Sequence, residues 1–133
     1  MATARDVRRI ARSLPEAVES TDDLAFAVPN RGKNKGFVWS WKERVEPNKA
    51  RVPNLGVLAV RVADEGDKQA LLASDPAKFF TEAHYNGFPA VLVRLDAVGS
   101  AELRELISDA WRCAAPVPLV ASFDDRPRRR RKE

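Results

Sequence analysis

The chain has 133 residues, 44% hydrophobic and 32% charged, which suits one domain with a packed core and a polar surface. Its net charge of +4 favours an anionic partner. The lone Cys113 excludes an intrachain disulfide and a multi-cysteine zinc site, and no apolar run approaches the roughly 20 residues of a membrane span.

Residues 3–14 are predicted to form a helix. Val7, Ile10, Ala11 and Leu14 recur at helical spacing while Arg5, Arg8, Arg9 and Arg12 lie off that stripe. Thr3 is the expected cap and Pro15 the stop. Four arginines and no apolar stretch in residues 1–14 argue against a secretory leader and, with the single cysteine, predict a cytoplasmic protein. Residues 24–28 are predicted as a strand, Arg31-Gly32-Lys33-Asn34-Lys35-Gly36 as a turn, and residues 37–42 as a second strand. In that second strand Phe37, Trp39 and Trp41 share one face by alternation. Residues 43–54 read as a loop and residues 55–62 as a strand.

Residues 64–74 are predicted helical. Residues 79–85 fit either a turn or a short strand. A strand follows over residues 88–95, with Val91, Val93 and Leu95 toward the core. The final helix is expected to be capped by Ser100 and stopped by Pro116, with Leu103, Leu106, Ile107, Ala110, Trp111 and Ala114 in one stripe. Two amphipathic terminal helices and short-linked strands predict an α+β two-layer sandwich, the helices covering one face of an antiparallel sheet. The expected domain spans residues 1–122, with residues 123–133 a disordered basic tail.

Charge is gathered in two places. Residues 31–51 hold seven bases (Arg31, Lys33, Lys35, Lys42, Arg44, Lys49, Arg51) against Glu43 and Glu46, a net of +5. Residues 124–133 hold six bases, including Arg128, Arg129, Arg130 and Arg131, against three acids, a net of +3. A nearly balanced body with a basic hairpin and a basic arm is the electrostatic footprint of a nucleic-acid binder. The Phe37/Trp39/Trp41 face reads either as the core side of the sheet or as a stacking platform, with Trp41 the candidate at its rim.

Other chemistry finds little support. His84 is the only histidine, so any His-based catalysis must use it, and Cys113 sits at the edge of an apolar stripe where a buried thiol is the ordinary outcome. Asp64-Glu65-Gly66-Asp67 lacks the spacing of a calcium loop and suits a helix start instead. No phosphate-loop or dinucleotide fingerprint occurs. The expectation is therefore a noncatalytic protein without metal or cofactor.

The segment Phe79-Phe80-Thr81-Glu82-Ala83-His84-Tyr85-Asn86-Gly87-Phe88-Pro89-Ala90-Val91-Leu92-Val93-Arg94-Leu95, then Leu103, Leu106-Ile107 and Ala110-Trp111-Arg112, resembles the MmcQ/YjbR-like family, as does Ser13-Leu14-Pro15-Glu16-Ala17-Val18-Glu19. The resemblance implies a small cytoplasmic α+β domain of frataxin-like (CyaY-like) shape, carrying a DNA-binding label through a "double wing" of β-hairpins and bringing no catalytic residues. Its wing would fall on the hairpin tipped by Arg31, Lys33 and Lys35. Iron binding on an acidic first helix, the frataxin alternative, is opposed by four arginines there against Asp6 alone. The expectation is a monomeric duplex-DNA binder; the alternative is a protein-interaction or small-ligand module built on the Tyr85–Phe88 turn.

Overall fold

The computed structural model describes residues 1–21, 23–43 and 52–125. Helix α1 (Ala4–Arg12) starts at Thr3, whose backbone N–H donates to the Asp6 carboxylate at 2.9 Å. It buries Val7, Ile10 and Ala11. Four strands follow: β1 (Val18–Glu19), β2 (Ala25–Asn30), β3 (Lys33–Glu43) and β4 (Val52–Arg61). Then come α2 (Glu65–Ser74), β5 (Phe79–Phe80), a 3₁₀ turn (Ala83–Tyr85), β6 (Ala90–Arg94), α3 (Ser100–Ala114) and α4 (Val117–Asp124). The six strands form one antiparallel sheet in the order β1-β2-β3-β4-β6-β5.

Register assigns the two faces. Phe26, Val38, Val60 and Val91 form one cross-strand row, and all four are buried. Against this face α3 lays Leu103, Ile107, Ala110, Trp111 and Ala114, with α1 packed beside it. Trp111 is fully buried, and its indole Nε1 donates to Pro15 O at 3.0 Å, so the end of the first helical segment is tied to the last long helix. Trp39, Ala59, Leu92 and Phe80 form the row on the opposite face, where the 3₁₀ turn folds over the two strand-borne indoles. The two-layer α+β sandwich is the one the element pattern predicts.

Several local expectations change. Alternation fails in β3 because a bulge opposite Phe26 and Ala27 inserts Phe37, whose ring turns into the core against Phe26 (centroids 6.4 Å apart), while Trp39 stays on the outer face. The turn shrinks to Arg31-Gly32, since Lys33, Asn34, Lys35 and Gly36 pair with β2 as strand. Strand β4 starts at Val52 rather than residue 55, and α3 is preceded by Gly99 as its cap, with Ser100 the first helical residue. Residues 79–85 hold both a short strand and a helical turn. Phe123 and Asp124, placed in the tail by composition, form the last turn of α4, where the Phe123 ring lies 5.0 Å from Trp111. A short apolar helix is hard to see from composition when a basic run follows it directly.

Candidate nucleic-acid interface

The β2–β3 hairpin closes through two residues with positive φ, Arg31 at 56° and Gly32 at 80°, the pattern of a type I′ turn that suits the strand twist. An arginine in the left-handed region is locally unfavourable, and pairing of Asn30 with Lys33 holds it there. The Asn30 side chain also donates to Ala114 O at 2.9 Å, fixing the hairpin to the end of α3. Arg31, Lys33 and Lys35 are exposed on this anchored tip.

Between the tip and the α3–α4 bend lies an open cleft of about 820 Å³. Its charged lining is Arg31, Lys33, Lys35, Arg61 and Arg112, and among the described residues no carboxylate lines it. Arg112 is neutralised: it donates to Asp124 and Asp109 at 3.0 Å each, and Asp124 foremost raises its pKa. The other four cations make no ion pair among the described residues. Arg61 donates Nε to Gly36 O at 2.6 Å and stands 5.8 Å from the Phe88 ring centroid. Burial lowers its pKa, the signature of a guanidinium drawn partly out of water. Burial likewise pushes the Cys113 thiol up, so the cysteine adds no negative charge here. Adding to this field, α4 begins at the cleft wall with its positive end.

The remaining candidates are not brought to this cleft. Lys42 lies nine residues along β3 from Lys33, about 30 Å away at strand rise, with its ammonium 3.8 Å from Asp23. Arg44, Lys49 and Arg51, and Arg128, Arg129, Arg130 and Arg131, lie outside the described residues. Trp41 is half-buried: its Nε1 donates to Glu82 Oε2 at 2.8 Å and Phe80 meets its ring at 5.5 Å. It lines, with Trp39, Tyr85 and His84, a groove of about 340 Å³ on the outer sheet face. His84 is exposed, with Nδ1 3.1 Å from Glu82 Oε1. Asp64 is a helix cap, accepting from Asp67 N–H at 2.9 Å.

Sequence reading missed Arg61 and Arg112 as members of the cleft. Arg61 is conspicuous as the charge that breaks an apolar strand, but its pairing with Ala90 and its reach to Gly36 are set only by the packing of strands distant in sequence.

The YjbR family model matches residues 12–113. The uncharacterized proteins Rv2570 of Mycobacterium tuberculosis and Mb2600 of Mycobacterium bovis are each 37% identical over 131 residues, covering 92% of this chain and 96% of theirs. The crystal structure of Deinococcus radiodurans protein DR2400, which carries the family-model domain DUF419, superposes with a TM-score of 0.59 at 23% identity, over 84% of this chain and 77% of that one.

Proposed function

The chain belongs to the YjbR family, and from that premise we propose that it is a noncatalytic, cytoplasmic DNA-binding domain, monomeric and directed at duplex DNA. The observation that carries this reading is the cleft whose described lining holds four cations outside any ion pair and no carboxylate. Such a surface gains by displacing the counterions of a polyanion. A two-stranded ribbon fits the roughly 12 Å width of a B-DNA major groove, and Lys33 and Lys35, alternate residues of one strand face, lie about 7 Å apart and would meet phosphates on the same side of the tip. The basic arm at Arg128–Arg131 adds affinity without reading sequence.

Fluorescence anisotropy of labelled duplex DNA over a series of salt concentrations tests the reading. If hairpin and arm together neutralise about five phosphates, log K falls against log salt with a slope of roughly −4 to −5. Replacing Arg128, Arg129, Arg130 and Arg131 with glutamine flattens that slope and weakens all sequences alike. Absence of duplex binding near physiological salt sinks the reading. The aromatic groove then carries the second one, a small-ligand module using Trp39, Trp41 and Tyr85.

A further inference from the structure

The cations of the cleft are not equivalent. Arg31, Lys33 and Lys35 are exposed at its lip, whereas Arg61 is half-buried. Arg61 uses Nε on a backbone carbonyl, which leaves its two terminal amino groups, the pair suited to two oxygens of one phosphate. A guanidinium taken partly from water without a carboxylate partner is an unbalanced charge. Asp67 and Asp109 share a neighbouring hollow with Arg61 and Cys113, yet neither pairs with Arg61, and Asp109 is held by Arg112.

We propose that the inner part of this cleft is a phosphate-monoester subsite centred on Arg61, and that the DNA it receives is a strand end carrying a terminal phosphate. The inference rests on the DNA reading above and narrows it. A backbone phosphodiester carries one charge and is embedded in the surface of a broad duplex cylinder. A terminal monoester carries close to two charges at neutral pH and presents three free oxygens. Arg61 takes two of its oxygens while Lys33 and Lys35 steady the adjoining backbone.

The test uses the full chain and two internally labelled duplexes that differ only in bearing 5′-phosphate or 5′-hydroxyl ends, with a nucleoside monophosphate as competitor. The phosphorylated duplex is expected to bind roughly tenfold tighter, the ratio set by one bidentate charge-assisted contact. Arg61→Gln brings that ratio to about one, and Arg61→Lys restores part of it, which separates lost charge from lost fold. Equal affinity of the two duplexes for the unmodified protein overturns the subsite and leaves the DNA reading standing. Binding of the monophosphate alone, abolished by Arg61→Gln, keeps the subsite and overturns DNA as its source. Binding of none of the three overturns both.

Discussion

One strand carries both kinds of surface this protein displays. At the Trp39–Trp41 end of β3 the polar groups are spent on one another. Trp39 Nε1 donates to Tyr85 Oη at 3.1 Å and Trp41 Nε1 to Glu82. Lys68, only 2% exposed as a residue, donates its ammonium to the carbonyls of Tyr85 and Phe88, the latter at 3.0 Å. Each indole is met nearly edge-on by a phenylalanine, Trp39 by Phe88 and Trp41 by Phe80. At the Lys33–Lys35 end the cations have no such partners among the described residues and face a cleft. Satisfied networks hold structure together. Unpaired charge around a concavity is open to a partner of opposite sign. By this comparison Trp41 and Lys68 hold the structure together, while Lys33, Lys35 and Arg61 are where the proposed binding would act.

The sharpest way to break this division is to exchange charge at the tip. Lys33→Glu with Lys35→Glu removes two phosphate contacts and adds two repulsions, so duplex affinity should fall by about a hundredfold or more. Unfolding free energy should stay within about 0.5 kcal/mol, as for other exposed sites. Normal binding by this variant would remove the hairpin from the interface.

The mirror experiment is Lys68→Met. It keeps an unbranched side chain but strips the donor from the part-buried carbonyls of Tyr85 and Phe88, and about 1–2 kcal/mol of stability should be lost. Urea unfolding followed by tryptophan fluorescence measures this, while duplex affinity stays within twofold. A variant with unchanged stability but weakened binding would reverse the assignment of the two ends.

A smaller effect is expected at Thr81, whose hydroxyl alone among the described buried side-chain polar atoms lacks a partner. Thr81→Val replaces it with a methyl and should be neutral or stabilising by up to about 1 kcal/mol. A clear loss in the thermal midpoint would show that the hydroxyl is engaged after all.

The smallest effect belongs to the α1–β1 surface pair. Arg12 donates to Glu19 at 2.8 and 3.0 Å, and that hydrogen bond, with Arg8 adding to it, holds the Glu19 carboxyl below its ordinary range. A lowered folded-state pKa stabilises above the unfolded value of about 4.3, and the contribution is lost as pH falls through the folded value. Glu19→Gln should therefore melt slightly below the unmodified protein at pH 7, with the gap closing as acid protonates Glu19. A gap of constant size across that range would mean the pair is not the cause.

Much of the fold follows from neighbours along the chain. The α3 stripe, Leu103, Ile107, Ala110, Trp111 and Ala114, is buried as its helical spacing requires, Leu106 is packed at the core's margin, and Asp64 and Asp67 open α2 as a capping pair. The basic hairpin tip is also evident, because glycine and lysines crowd between two strand-like runs. Tertiary structure alone decided the rest. The Phe37 bulge depends on how β2 and β3 pair, and it sends one aromatic of an apparent row to the opposite side of the sheet. Lys42 is close to Lys35 in sequence and far from it in space because the strand between them is extended. Arg61 and Arg112 reach the tip cleft from residues 25 and 76 positions beyond Gly36. Periodicity is written by residues within a turn or two of each other, whereas a cluster of charges from separate elements exists only once strand register and helix packing have set the distances between them.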